Sequence, residues 1–213
     1  MTEGSSRARF ISFEGGEGSG KSVQAKALAT ALESRGRTVV LTREPGGTPG
    51  AEAIRALLVT GAQDRWTPLS EALLFNAARA DHLARKIRPA IQAGQWVICD
   101  RFSDSTRAYQ GAAQGLADEE LDLLERMTVG ESRPDLTFIL DVPVEVGLAR
   151  AASRGGAEAR YEGFDPAFHE RLRQAYLAIA AAEPARCVVI DGTKSPTEVA
   201  AAIMRIVEGR FAL

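Results

Sequence analysis

The residues most plainly equipped for chemistry are Gly15-Gly16-Glu17-Gly18-Ser19-Gly20-Lys21-Ser22. They follow the strand-like run Phe10-Ile-Ser-Phe-Glu14 and precede a helical pattern from Val23 to about Arg35. A strand, a Gly-x-x-x-x-Gly-Lys-Ser loop and a helix, in that order, form a phosphate-binding loop. Gly15, Gly18 and Gly20 open backbone conformations closed to residues with a Cβ, so several N–H groups can converge on one anion. The positive end of the following helix adds to that field. Lys21 is expected to reach the β- and γ-phosphates of a nucleotide, and the Ser22 hydroxyl to ligate Mg²⁺.

A second group recurs at helical spacing. Phe75, Arg79 and His82 stand at i, i+4 and i+7 in the amphipathic pattern Ser70–Ala93, and so share one face. An aromatic ring and an arginine one turn apart can stack on a planar base and hydrogen-bond its carbonyl edge. His82 is expected at the surface or as a cap. Leu73, Leu74, Ala77, Leu83, Ile87 and Ile91 are the expected buried set of this helix.

A third candidate is Asp100, which closes the apolar run Trp96-Val-Ile-Cys and places a carboxylate at the working end of a buried strand. The segment that follows, Arg101 to Gly111, is too polar for a core and sets Ser105 and Tyr109 one helical turn apart. Finally, Arg150, Arg154 and Arg160 surround Gly155-Gly156 in a cationic stretch suited to a lid over phosphates, at about 150–163.

The elements that must position these groups are five strand patterns alternating with helices: 10–14, 38–42, 96–100, 136–141 and 187–191. The alternation predicts an α/β fold, a doubly wound parallel sheet with helices on both faces. In such a sheet ligands bind at the carboxyl ends of the strands, which is where the phosphate loop, the Arg43-Glu-Pro-Gly-Gly-Thr48 connection and Asp100 fall. Residues 10–213 are expected to form a single domain, with 1–9 a disordered leader lacking the apolar centre of a secretory signal.

Composition narrows the class further. The chain is 45% hydrophobic and 25% charged with net charge −2, which gives no global attraction to nucleic acid or an anionic membrane. Among 26 basic residues only Lys21, Lys26, Lys86 and Lys194 are lysines, and arginine's planar fork suits phosphate. Cys99 and Cys187 sit in apolar strand patterns and read as core residues rather than a disulfide or metal site. No apolar run is long enough to span a bilayer, and a cytoplasmic protein is expected.

The guanine-reading Asn-Lys-x-Asp stretch of GTPase switches and the Ser-Gly-Gly signature of transporter ATPases are both absent. The combination present fits a small-molecule phosphoryl transferase with a second, base-containing substrate. Thr42-Arg-Glu-Pro-Gly-Gly-Thr48, Leu73-Leu-Phe-Asn-Ala-Ala-Arg79, and Asp100-Arg101 with Ser105-Thr-Arg-Ala-Tyr-Gln-Gly111 closely resemble the bacterial thymidylate kinases. The resemblance covers nearly all of the chain from Phe10 on. It implies a five-stranded P-loop kinase fold, a homodimer, and Mg²⁺-dependent phosphoryl transfer from ATP to dTMP.

By that resemblance the loop Gly15, Gly16, Glu17, Gly18, Ser19, Gly20, Lys21 and Ser22 holds ATP, with Arg150 over the adenine. Phe75 stacks on thymine, Arg79 meets its O4 edge and Arg101 holds the dTMP phosphate. Tyr109 lies against the deoxyribose, and Gln110 with Ser105 or Thr106 lines the same pocket. Glu17 interacts with the acceptor sugar or the metal shell. Asp100 either orients Arg101 or holds a Mg²⁺-bound water. Gly18 stands where one subgroup carries a catalytic arginine, so Arg154 and Arg160, chiefly Arg160, are expected beside the transferred phosphoryl group. Ala159 replaces the acid of the family's Asp-Arg-x-Glu lid motif. Two rivals stay open: a kinase for another nucleotide or nucleoside, and a non-catalytic nucleotide-binding switch.

Overall fold

The computed structural model describes residues 7–153 and 160–213. Its five strands are β1 (Phe10–Glu14), β2 (Val39–Arg43), β3 (Trp96–Asp100), β4 (Leu136–Asp141) and β5 (Cys187–Asp191). They pair in the order β2-β3-β1-β4-β5, every pair parallel. The strand carrying the phosphate loop is therefore central.

Strand side chains alternate between the two faces. Ile11, Phe13, Trp96, Ile98, Leu136 and Phe138 pack under the helices α1 (Lys21–Glu33) and α9 (Pro196–Phe211). Phe10, Val97 and Cys99 face the opposite way, against Leu83, Ile87 and Ala90. With both faces covered, the inner strands β1, β3 and β4 read as nearly unbroken apolar runs, while the edge strands β2 and β5 are partly exposed. Both cysteines are free and buried.

Between β2 and β3 the chain forms α2 (Pro49–Leu58) and α3 (Pro68–His82), each opened by a threonine cap (Thr48, Thr67) and a proline in its first turn. The expected single helix to residue 93 is interrupted. A π turn at Leu83–Ile87 leads into α4 (Arg88–Gln92), just ahead of Pro89, which has no N–H for the carbonyl one turn back. After β3 come α5 (Ser103–Thr106) and a second π turn, Arg107–Ala113. The remaining helices are α6 (Asp118–Thr128), α7 (Val144–Ala152) and α8 (Pro166–Ala182).

The buried face of α3 is not the apolar one expected. Leu73 is 50% exposed and Ala77 is exposed, while Glu71, Asn76, Arg79 and His82 are buried. The helix turns its polar stripe inward because that stripe meets other buried polar groups, Glu44, Thr106 and Gln110 among them. Only Leu83 and Ile87 of the expected set are fully buried, with Leu74 and Ile91 partly covered. Among the described residues no helix is long and apolar enough to cross a membrane.

Candidate active site

The carboxyl ends of β1, β2 and β3 open onto a cavity of 680 Å³, walled by the phosphate loop on one side and by Phe75, Tyr109 and Gln110 on the other. Its phosphate-loop side is built by backbone conformation. Gly15 (φ 136°) and Gly18 (φ 65°) take left-handed angles that favour glycine. A Cβ on Gly18 would lie 1.9 Å from the Gly147 carbonyl oxygen of α7. No side chain, arginine included, fits at that position, so any catalytic cation must come from elsewhere.

Lys21 folds back over its own loop, donating to Gly16 O at 2.7 Å, Gly15 O at 3.1 Å and Ser19 Oγ at 3.2 Å. Burial, reinforced by the nearby Arg101 charge, lowers its pKa to about 8 against the opposing pull of Glu17, Asp100 and Glu14. Ser19 in turn donates to Gly16 O at 2.9 Å. The Ser22 hydroxyl donates to Asp100 Oδ2, so the two residues expected at a metal are in contact across 78 positions of sequence. A hydroxyl and a carboxylate at the mouth of a phosphate site are hard oxygen donors of the kind Mg²⁺ takes, and the pair fits that ion.

Arg101 is the hub. It adopts φ 69°, a left-handed angle uncommon for a residue with a side chain, and its N–H is held by Phe13 O at 2.9 Å. Its Nη1 donates to Gly15 O, Ser105 Oγ and Tyr176 OH at 3.1–3.2 Å. Its Nη2 donates to Glu17 Oε1 and to Tyr109 OH, each at 2.9 Å. Tyr109 also donates to Glu17 at 2.5 Å. Burial would raise the Glu17 carboxyl, but Arg101, then Lys21 and the Tyr109 bond, outweigh it and hold the pKa at about 2. Glu17 is an anion that keeps Arg101 aimed at the space between the two walls.

Beneath this hub lies Glu14, fully buried, accepting from Phe102 N at 2.7 Å and Ser105 Oγ at 2.6 Å. Burial and then Asp104 push its pKa up to about 7, against the Ser105 bond and Arg101. Sequence reasoning passed over Glu14 as part of β1, although an acid ending an apolar strand is the same signal that marked Asp100. The Arg101–Gly111 segment, expected to be too polar for a core, is largely buried, because its polar groups satisfy one another around Glu14, Glu17 and Glu71.

The structure brings some of the residues expected on the acceptor side to the cavity and sets others behind its wall. Phe75, Ser105, Thr106, Tyr109 and Gln110 all line the cavity with Arg101 and Asp100. Arg79 is 2% exposed and sits behind that wall, donating to Glu44, Phe102 O, Thr106 and Asn76. His82 is neither at the surface nor a cap: it is 0% exposed and bridges Thr42 and Glu44. Glu44 and Arg55, which donates to Pro45 O at 2.7 Å, also border the cavity. Glu44 lies within the Thr42-Arg-Glu-Pro-Gly-Gly-Thr48 stretch with no local signal of its role, and nothing in the sequence distinguishes Arg55 from other helical arginines.

Arg160 is the principal correction. Arg160 is 5% exposed as a residue, and its guanidinium lies within the wall, donating to the buried Glu71 carboxylate and to the carbonyls of Leu58, Ala62 and Gln63. It does not border the cavity, whereas its neighbours Tyr161 and Glu162 do. A buried carboxylate with three carbonyl oxygens out-competes solvent for a guanidinium, and the helical pattern around Glu71 carries no signal of that pairing. Arg150 donates to Gly192 O at 2.8 Å beside the phosphate loop. Arg154 lies outside the described residues.

Residues 13–203 match the family model described as thymidylate kinase. A thymidylate kinase from Caulobacter vibrioides is 57% identical over 96% of this chain and 98% of its own length. One from Bradyrhizobium sp. strain BTAi1 is 52% identical over 99% and 94%. The crystal structure of thymidylate kinase from Ehrlichia chaffeensis superimposes with a TM-score of 0.76 at 37% identity, covering 94% of this chain and 98% of that one.

Proposed function

The chain belongs to the thymidylate kinase family, and on that premise we propose how its residues divide the ATP-dependent transfer of a phosphoryl group to dTMP. The observation that carries the reading is the single cavity in which the phosphate loop faces Phe75, Tyr109 and Gln110, with Arg101 between them.

Lys21 exchanges its bonds to Gly15 O and Gly16 O for the β- and γ-phosphates of ATP, whose negative charge favours the protonated amine. Arg150, beside Gly192, covers the adenine. Ser22 and Asp100 hold Mg²⁺, which supplies charge neutralisation to the phosphates when bound. Phe75 stacks on the thymine, and Arg79 offers its edge the one Nη1–H that has no protein partner among the described residues. Gln110, Ser105 and Thr106 complete the pocket. Tyr109, fixed to Glu17, stands where a ribose 2′-hydroxyl would go.

Arg101 takes the acceptor phosphate while Glu17 keeps the guanidinium oriented. An ionised phosphate oxygen is already a nucleophile, so no general base is required, and the protein contributes alignment and charge. Burial of Lys21 and Arg101 strengthens that contribution, since fixed charges act more strongly away from water.

The exposed apolar side chains support a homodimer. Leu69 and Leu73 on α3 and Leu123 and Met127 on α6 are 42–75% exposed, one turn apart on each of two helices that pack together. A patch of this kind marks a protein contact, and we infer that a second copy covers it. The place of action we infer is the cytoplasm, where ATP and dTMP are both available.

The reaction is tested by coupled ADP release with Mg²⁺, ATP and a panel of dTMP, dCMP, UMP, AMP and thymidine. The reading expects dTMP to be the best acceptor by kcat/KM. ATP binding without acceptor-stimulated turnover would instead favour a nucleotide-binding switch, and a better acceptor elsewhere in the panel another nucleotide kinase.

A further inference from the structure

Behind the cavity wall, four buried side chains form an unbroken line from β2 to the base-edge arginine. Thr42 Oγ1 lies 2.7 Å from His82 Nε2, His82 Nδ1 lies 3.1 Å from Glu44 Oε1, and Glu44 Oε2 accepts from Arg79 Nε at 2.8 Å. A carboxylate can only accept, so Nδ1 carries the proton it donates to Glu44. The Glu44 carboxylate has no freedom to turn, because Arg79 occupies one oxygen and His82 the other.

A second observation shows that this line is sealed. A Cβ on Gly47 would fall 2.6 Å from both His82 Nε2 and Thr42 Oγ1, so the glycine-rich connection closes directly over the Thr42–His82 contact and leaves no room for water there. At the other end, the Arg79 guanidinium is fixed by Phe102 O at 3.2 Å, Thr106 Oγ1 at 3.1 Å and Asn76 Oδ1 at 3.3 Å. One Nη1–H stays uncommitted among the described residues. Its neighbours Phe75, Glu44 and Thr106 all border the cavity.

We propose that His82 is a positioning residue for acceptor recognition: through Glu44 it fixes the Arg79 guanidinium so that its one uncommitted hydrogen serves the carbonyl edge of the base. The inference rests on the reading that Arg79 meets that edge. His82 itself touches neither substrate. With an aliphatic side chain in its place, one Glu44 oxygen loses its buried donor, and the carboxylate can pivot toward the cavity and carry Arg79 with it.

The test uses the full chain in steady-state assays with dTMP and with dCMP, whose ring carries an amino group where thymine has the O4 carbonyl. His82→Leu is expected to raise KM for dTMP about tenfold, leave KM for ATP unchanged, and narrow the dTMP-over-dCMP preference by a similar factor. His82→Asn, whose amide can still donate to Glu44, is expected to restore most of that preference. In an Arg79→Ala background, His82→Leu is expected to add nothing. A matching loss with both acceptors, or a further loss in that background, overturns the proposal. Should His82→Leu not fold, Thr42→Val removes the far end of the line at constant shape, and an unchanged preference in that variant overturns it equally. An Arg79→Ala variant with undiminished preference for dTMP refutes the base-edge reading itself. A normal Arg79→Ala effect beside a silent His82→Leu refutes only the role of His82.

Discussion

The Arg160 guanidinium is paired with the Glu71 carboxylate inside the wall of the cavity, both side chains 1% exposed. Gln110 and Gln114 donate to the other Glu71 oxygen, each at 2.8 Å. The arginine expected beside the transferred phosphoryl group thus ties the segment after residue 159 to α3 and, through Glu71, to Gln110 and Gln114.

Arg160→Ala should therefore act through stability and acceptor binding. Removing one member of a buried pair leaves the other charge uncompensated, at a cost of about 3–5 kcal/mol. Urea unfolding is expected to show that loss, with an increased KM for dTMP. The double variant Arg160→Met/Glu71→Leu, which removes both charges, should recover part of the stability. A large fall in kcat with unchanged stability and KM would return Arg160 to the phosphoryl group.

Phe75 lines the cavity and is only partly buried, packed at the margin of a core cluster. Phe75→Ala is expected to weaken dTMP binding by about 1–3 kcal/mol on stacking grounds, measured by calorimetric titration, with ATP affinity unaltered. An unchanged Kd for dTMP would remove Phe75 from the base site.

The inner strands β1, β3 and β4 were legible because each is an apolar run covered on both faces, and several strands end in acids at the carboxyl edge. The phosphate loop was legible because few residue orders can wrap a backbone around an anion. The inward face of α3 was not, since periodicity assumes that apolar residues point inward. Here the inside is polar, and Leu73 is left outside. Arg160 was misplaced for a related reason: its carboxylate partner, Glu71, lies 89 positions away, and no local spacing announces that pairing.

Glu14 gives a pH dependence with a defined sign. Its pKa is about 7 in the folded chain against an ordinary value of 4.5. The native state thus holds a proton that the unfolded chain releases, and stability falls as pH rises through that window. Glu14→Gln mimics the protonated acid. It should flatten the decline between pH 5 and 8, a difference on the order of 1–3 kcal/mol when urea unfolding is compared across pH. A wild-type profile no steeper than the variant's would place the titration elsewhere.

Leu73→Glu combined with Met127→Glu puts charge at the centre of the exposed α3–α6 patch without touching the cavity. Light scattering after size exclusion should show a dimer for the natural sequence and a monomer for the variant. An unchanged mass would locate the contact on another face.

The most direct test of the two facing walls follows the phosphoryl group itself. With γ-labelled ATP, Mg²⁺ and dTMP, the label should appear in dTDP in a one-to-one ratio with ADP, and both Lys21→Met and Arg101→Ala should abolish the transfer. Label released as inorganic phosphate, or ADP formed at the same rate without dTMP, would contradict the account.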